Sequence, residues 1–258
     1  MHFHFGSFPI LPAIGMFVTI LIFVELGRRV GVRRLTVPGA RAGVGVVDGS
    51  VYALVALLIG FTFNGAAARF DNRRELVGAT TNVAGTAWQR IDMLPPELQP
   101  PIRDGMRRYV DVLIASYTNP TLADAALNQS PALTRAQNDL WAQAVAVCTT
   151  AAGEKARMLL LPSLNELFGA VEKEHVARSL HPPRLIYMLL AIATLTGAVF
   201  VGYAIATVNQ RNWIYMLGIA GTIASATYLV AELEYPRLGH VSVDAADRTI
   251  IELRASMR

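Results

Sequence analysis

The chain has 258 residues, of which 53% are hydrophobic and only 16% are charged, and its formal net charge is +4. A soluble domain carries roughly 25% charged residues, so this composition argues against an ordinary soluble protein. The single cysteine, Cys148, excludes an internal disulfide and a cysteine-ligated zinc site. The arginines flank apolar segments and do not form one basic face, which argues against a nucleic-acid partner.

Four long segments with almost no charge predict transmembrane helices. Roughly 20 helical residues cross a hydrocarbon core about 30 Å thick. The third and fourth segments are joined by a short turn that contains Arg211, so they must form an antiparallel hairpin. The first segment lacks a basic start and is too long for a cleaved signal, so we expect it to be retained. The predicted spans are residues 8–26, 43–68, 185–208 and 212–231.

The second span is predicted to continue beyond the membrane. No proline occurs between Val44 and Ile91, and one helix over these 48 residues would be about 72 Å long. That length is more than twice the hydrocarbon thickness. It suits a pore-lining helix and a plain rigid stalk equally well.

Between the second and third spans the pattern is that of amphipathic helices. Apolar residues recur at helical spacing in three stripes, which begin at Ile102, Leu140 and Leu164. The Pro162-Ser163 pair predicts the start of the third of these helices. No strand alternation of useful length appears in this region.

The expected fold is therefore an all-α membrane protein, with a helical cytoplasmic region between its second and third transmembrane helices. The expected division of the chain is 1–68 for the first two spans, 69–183 for the cytoplasmic region, 184–233 for the last two spans and 234–258 for a C-terminal tail.

Two short motifs resemble the bestrophin family. At the end of the second span, FTFNGAAARFDNRR runs from Phe61 to Arg74, with an asparagine three residues and an arginine eight residues after the phenylalanine. After the fourth span, ELEYPRLG resembles the bestrophin acid-acid-proline-glycine turn. The order of the spans is also similar, and the chain most resembles the bacterial bestrophin-like domain group. The residues of the second motif are Glu232, Glu234, Pro236 and Gly239.

The sequence also departs from the bestrophin pattern. Asp71 and Asn72 stand where many bestrophins carry a tryptophan and a glutamate. The acidic calcium clasp of the animal proteins is not evident. Calcium gating is therefore not carried over to this chain.

The resemblance implies an ion channel, expected to be a homopentamer whose second helix lines a central pore. The narrow neck of bestrophins has apolar residues at i, i+4 and i+8, which correspond here to Ala53, Leu57 and Phe61. This spacing places them on one helix face, and an apolar ring can gate a pore by expelling water. Packing of the same face against another helix in the bilayer remains the alternative.

Polar residues of the first motif are expected at the pore vestibule or at the membrane interface. Thr62 and Asn64 would either coordinate ions or bond a neighbouring helix. The arginines, including Arg73, would either snorkel to headgroups or serve the pore. Asp71 and Glu75 are expected to form local ion pairs with them. The vestibule or motif positions are Thr62, Asn64, Arg69, Asp71 and Arg74.

The membrane orientation is poorly determined by charge. Six arginines lie near the span ends on one side and eight basic residues on the other. The dense first loop, taken alone, would itself be cytoplasmic. The resemblance instead places the helical region and both termini in the cytoplasm, and we follow it. We expect a multi-pass protein of the inner membrane.

The sequence shows no nucleophilic side chain accompanied by a general base, and no pair of carboxyl groups suited to acid–base catalysis. It also shows no spacing of His, Cys, Asp or Glu that is typical of a metal site. We therefore expect no enzyme, no cofactor and no metal site. The expected partners are the lipid bilayer, small inorganic ions and further copies of the chain. The leading hypothesis is a bestrophin-like oligomeric ion channel for anions or cations, and the alternative is a non-conducting membrane scaffold or sensor of the same fold.

Overall fold

A computed structural model describes residues 10–34, 44–118, 130–206, 211–235 and 244–258. Within these residues the regular structure is helical, with no strand. Short 3-10 turns occupy Ile91–Met93, Pro96–Leu98 and Glu154–Ala156. The α-helices are α1 (Ile10–Arg34), α2 (Val44–Arg90), α3 (Gln99–Thr118), α4 (Pro131–Cys148), α5 (Arg157–Ser179), α6 (Arg184–Ile205), α7 (Trp213–Glu234) and α8 (Asp244–Ser256).

Four of these helices contain segments that are long and apolar enough to cross a membrane: α1, α2, α6 and α7. Their outer faces carry exposed apolar side chains such as Ile14, Ile192 and Leu217. Such faces are expected where lipid is the solvent, because the backbone polar groups are already satisfied inside each helix. The predicted all-α, four-span fold is confirmed, and the chain is a multi-pass membrane protein.

Helix α1 is longer than predicted. It ends at Arg34, whereas the predicted span ended at Leu26. Two of the arginines beyond Leu26 pair with Glu25, which favours the helical conformation there. Arg28 donates to this carboxylate at 2.9 and 3.0 Å, and Arg29 at 3.0 Å. Arg211, in the turn before α7, also donates to Glu25 at 3.3 Å, so this turn lies beside the same end of α1.

Helix α2 is a single helix of 47 residues, as the lack of proline predicts. It ends at Arg90, where the 3-10 turn Ile91–Met93 leads into Pro95. The start predicted for α5 is wrong. That helix begins at Arg157, and Pro162 lies inside it. Pro162 is the sixth residue of this helix, so its missing N–H leaves the carbonyl of Met158, in the first turn, without its i+4 donor.

The described residues form two compact units. The membrane unit comprises Met1–Ala68 and Pro182–Val241, which contain α1, the first half of α2, α6 and α7. The extramembrane unit comprises Arg69–His181 and Ser242–Arg258, which contain the rest of α2 together with α3, α4, α5 and α8.

In the membrane unit, α1 and α6 are in backbone contact. A Cβ atom at Gly27 would lie 2.0 Å from the Val199 carbonyl oxygen, and one at Gly202 would lie 2.0 Å from the Val24 carbonyl oxygen. Gly27 and Gly31 are four residues apart, the small-xxx-small spacing that lets helices approach closely in lipid. Helix α7 completes a small core through Met216, Ala220 and Ile223.

The extramembrane unit has a core of large side chains. Helix α8 is held to α3 by Arg254, which donates to both carboxylate oxygens of Asp111 at 2.7 and 2.8 Å. Ile250 on α8 is fully buried in the same core. The largest core side chains include Ile102, Met106, Tyr109, Leu113, Leu140, Leu160, Leu164 and Leu167.

Candidate functional site

The three predicted neck residues lie on one exposed face of α2. Leu57 is 54% exposed and Phe61 is 67% exposed, and Ala53 is exposed as well. At 3.6 residues per turn, the spacing of four keeps the three side chains within an arc of about 80°. The structure therefore brings Ala53, Leu57 and Phe61 together as one apolar surface.

The opposite face of α2 packs inside the membrane unit. Val55 is 2% exposed and Ala66 is fully buried, while Tyr52 and Ile59 pack against the small core. Thr62 also lies on this face, and its hydroxyl donates to the Leu58 carbonyl at 2.7 Å. Thr62 is therefore separated from the neck residues, and the neck face points away from the rest of its own membrane unit.

Beyond the neck residues, the same face of α2 carries exposed polar side chains. Asn64 is exposed at the end of the membrane unit, and Asp71, Glu75 and Asn82 are exposed in the extramembrane unit. On an ideal helix these four side chains point within an arc of about 40°. We call the seven residues the α2 stripe: Ala53, Leu57, Phe61, Asn64, Asp71, Glu75 and Asn82.

The two acids of the α2 stripe have no ion-pair partner among the residues that the structure describes. In the described ranges neither Asp71 nor Glu75 forms an ion pair, so the predicted local pairs with the neighbouring arginines are not found. Arg74 is exposed, but its guanidinium carbon lies 5.6 Å from the centre of the Phe70 ring. The stripe therefore presents net negative charge beyond its apolar section.

The other two arginines of the motif are less accessible. Arg69 is half-buried. Arg73 is 6% exposed and donates to the carbonyls of Ala177 and Leu180 at 3.3 Å each. The last carbonyls of a helix lack partners within the helix, and a guanidinium can satisfy them. Arg73 therefore caps the end of α5, and the expectation that it reaches lipid headgroups or serves the pore was wrong.

The C-terminal motif is described only in part. Glu232 and Glu234 lie at the end of α7, and each is 1% exposed. The hydroxyl of Tyr228, one turn earlier, hydrogen-bonds Glu232. Pro236 and Gly239 lie outside the described residues. The two acids are thus internal groups and are not part of the exposed α2 stripe.

A buried polar cluster in the extramembrane unit was not predicted. Glu174 on α5 is 1% exposed, pairs with Arg178 and accepts a hydrogen bond from the Tyr117 hydroxyl at 3.3 Å. The Arg178 guanidinium carbon lies 4.6 Å from the centre of the Tyr117 ring. The i, i+4 spacing of Glu174 and Arg178 was a usable signal, although it does not reveal burial.

The described residues contain no group of three or more His, Cys, Asp or Glu side chains placed to hold a metal ion. The candidate site is a surface, the α2 stripe, with an apolar section followed by a polar one.

The sequence model of the bestrophin-like domain matches residues 14–247. A comparison with curated proteins finds no significant match.

Several solved structures share the fold. A mutant of a bacterial bestrophin homologue from Klebsiella pneumoniae has a TM-score of 0.66 and 16% identity, covering 93% of this chain and 98% of that chain. A second mutant of this homologue has a TM-score of 0.63 and 17% identity over the same shares. A structure described only as a membrane protein has a TM-score of 0.67 and 16% identity, also over these shares. At such identities the likeness shows a shared fold.

Proposed function

Because the chain belongs to the bestrophin-like domain family, we propose that it is an ion channel of the inner membrane in which several copies of α2 surround one pore. The family resemblance found in the motifs is confirmed by the match over residues 14–247. The bestrophin family is one of ion channels and not of enzymes, so the family supports transport and not catalysis.

The observation that carries the proposal is the α2 stripe. In a ring of copies with these stripes facing inward, Ala53, Leu57 and Phe61 would form an apolar neck. An apolar constriction gates by dewetting, because a narrow ring without polar groups holds water and hydrated ions poorly. Asn64, Asp71 and Glu75 would then line a wider, water-filled vestibule.

Assembly as a ring also accounts for exposed polar groups. Asn64 is exposed near the end of the membrane-spanning part of α2, and an amide in contact with lipid is costly. A shared aqueous path removes that cost. We propose a homopentamer, the number that the bestrophin resemblance implies, with the extramembrane unit and both termini in the cytoplasm.

The direct test is conduction by purified protein in planar bilayers. We expect unitary currents from the wild type, and we expect Leu57→Ala and Phe61→Ala to increase the conductance or the open time several-fold. Leu189→Ala is a matched control, since Leu189 on α6 is 52% exposed and Leu57 is 54% exposed. The control variant should conduct as the wild type does.

Two outcomes would contradict the proposal. Silent bilayers from intact oligomers would favour the alternative, a non-conducting scaffold or sensor of the same fold. A monomer, or a dimer with no central hole, would remove the ring itself. Size-exclusion chromatography with light scattering measures the number of copies independently of conduction.

A further inference from the structure

A pocket that contains three polar side chains adjoins an apolar groove in the membrane unit. The pocket, about 490 Å³ in volume, lies between α2, α6 and α7. The groove, about 620 Å³ in volume, lies between α2 and α7. Tyr52 and Ile219 line both volumes, so the pocket and the groove are adjacent.

The pocket contains a carboxylate and two tyrosines. Asp48, Tyr52 and Tyr215 line it together. Asp48 forms no ion pair or hydrogen bond with any described residue. The Tyr52 hydroxyl is buried and has no hydrogen-bond partner in the part of the chain that the structure describes. An unpaired ionisable side chain near the membrane costs free energy. A positively charged hydrogen-bond donor would remove that cost, because it could bind the Asp48 carboxylate and the Tyr52 hydroxyl.

The chemistry of the pocket selects an ammonium group. A carboxylate supplies the opposite charge, and the faces of aromatic rings attract ammonium cations. An N–H donor could satisfy both the Asp48 carboxylate and the Tyr52 hydroxyl oxygen. A phosphate or a carboxylate group placed directly beside the Asp48 carboxylate would instead be repelled by it.

The pocket lies at the depth of lipid headgroups. Asp48 is in the second turn of α2, and Tyr215 is in the first turn of α7, next to the exposed Trp213. Tryptophan and tyrosine mark the boundary between membrane and water. The pocket is therefore at one membrane surface, and the groove extends from beside it towards the membrane interior.

The groove has the depth of one lipid leaflet. It is lined from Tyr52 to Phe63 on α2 and from Gly218 to Leu229 on α7. Eleven helical steps measure about 16 Å, which is half of a hydrocarbon core about 30 Å thick. The groove is apolar apart from Tyr52 and Thr222, and the Thr222 hydroxyl donates to the Gly218 carbonyl at 2.9 Å.

We propose that the pocket and the groove together bind one phospholipid whose headgroup carries an ammonium group. The ammonium lies beside Asp48, Tyr52 and Tyr215, and one acyl chain lies in the groove. A transmembrane helix from a second copy fits less well, since it would cross both leaflets and the groove has the depth of only one. This site is separate from the α2 stripe and does not depend on ion conduction.

The test compares two lipids with the same acyl chains, phosphatidylethanolamine and phosphatidylglycerol, added to the purified full-length protein in detergent. Native mass spectrometry measures the bound lipid. We expect phosphatidylethanolamine to bind the wild type more tightly, and Asp48→Asn to weaken its binding about tenfold and abolish the preference. Ser50→Ala is the matched control on the same helix, because the exposed Ser50 hydroxyl bonds only the Val46 carbonyl. It should bind both lipids as the wild type does.

A second variant tests the groove. A Cβ atom at Gly218 would have no heavy atom within 4 Å, so Gly218→Leu fills the groove without displacing the backbone. It should weaken the binding of both lipids equally. If Asp48→Asn is not monodisperse, Tyr52→Phe replaces it, and we expect it to weaken only phosphatidylethanolamine.

Three results would overturn the proposal. The first is equal binding of the two lipids to the wild type. The second is binding of phosphoethanolamine, the soluble headgroup, as tight as that of the intact lipid, which would identify a soluble amine as the ligand. The third is efficient disulfide cross-linking of Gly218→Cys between copies in native membranes, which would show that a second copy occupies the groove.

Discussion

The two units pack their helices in different ways. In the extramembrane unit, large side chains such as Leu164 and Tyr109 are removed from solvent completely. In the membrane unit, α1 and α6 touch at the backbone, and the shared core is a small cluster around Ile20 and Val24. The difference follows from the solvent, because burial of apolar area drives association in water but gains little where lipid is equally apolar.

The same difference explains where the large apolar residues lie. Ile192 on α6 is 60% exposed, although its type is typically buried in water-soluble proteins. In lipid, close approach of helices supplies dispersion contacts and weak hydrogen bonds, and glycine permits that approach. Substitutions at glycines should therefore be most harmful in the membrane unit, and truncations of large side chains in the extramembrane unit.

The largest effect is expected at the contact of α1 with α6. Gly202→Ala places a methyl group 2.0 Å from the Val24 carbonyl oxygen, which the helices can accommodate only by separating. We expect loss of monodisperse protein in detergent, measured by size-exclusion chromatography. Gly221→Ala on α7 is the control, since its Cβ would meet no atom within 4 Å. Equal behaviour of the two variants would show that backbone contact does not hold the membrane unit together.

A smaller effect is expected in the core of the extramembrane unit. Leu164→Ala removes a fully buried side chain and should lower the free energy of unfolding by about 2–5 kcal/mol. Leu159→Ala, at a position that is 42% exposed on the same helix, should cost much less. Thermal melting of the purified protein measures both. Similar melting temperatures for the two variants would contradict a core held by burial of apolar area.

A third experiment compares the two parts of the α2 stripe. Asp71 and Glu75 place two unpaired acids per copy beyond the apolar section, and rings of acids concentrate cations. We expect the double variant Asp71→Asn, Glu75→Gln to lower the cation-to-anion permeability ratio several-fold, measured from the reversal potential in a salt gradient. Glu166→Gln, at an exposed acid on α5, is the control and should leave the ratio unchanged. An unchanged ratio in the double variant would place these acids outside the ion path.

The sequence predicted features that depend on a single helix. Four spans, the long α2 and the common face of Ala53, Leu57 and Phe61 all follow from apolar spacing, proline positions and helix geometry. Thr62 was grouped with Asn64 because the two are close in sequence. Two residues along a helix are about 160° apart around it, however, and Thr62 lies on the buried face.

Apart from the hairpin of the third and fourth spans, features that depend on contacts between helices were not predicted. The close contact of Gly27 with Val199 was not predicted, because no periodic pattern in the sequence shows which residue of another helix approaches a glycine. The role of Arg73 depends on the end of α5, more than a hundred residues away. The pocket of Asp48 and Tyr215 likewise joins distant segments. Spacing in a sequence reports which face of a helix is apolar, but it does not report what that face meets.

The smallest expected effect concerns a single hydroxyl in the extramembrane core. The Tyr109 ring packs edge-on against Phe168 at 5.4 Å between ring centres, and its hydroxyl is buried with no hydrogen-bond partner among the described residues. Burial raises the pKa of Tyr109 well above its usual value, because the phenolate would lose its hydration. Tyr109→Phe removes the unsatisfied hydroxyl and should leave the free energy of unfolding at pH 7 unchanged or higher by about 1 kcal/mol.

The pH dependence gives the sign of this effect. The pKa of Tyr109 is higher in the folded state than the value of about 10 in the unfolded chain. The wild type therefore keeps its full stability below about pH 10. It loses stability as the pH rises from about 10 towards the folded pKa, because only the unfolded chain then releases the proton. The advantage of Tyr109→Phe should therefore grow between pH 10 and pH 11, by at most about 1.4 kcal/mol. Tyr117→Phe is the control on the same helix, because it removes a hydroxyl that does bond Glu174 and should destabilise the protein at pH 7. If both variants destabilise equally at pH 7, the Tyr109 hydroxyl has a partner, and the core of the extramembrane unit contains a polar contact that burial of apolar area alone does not explain.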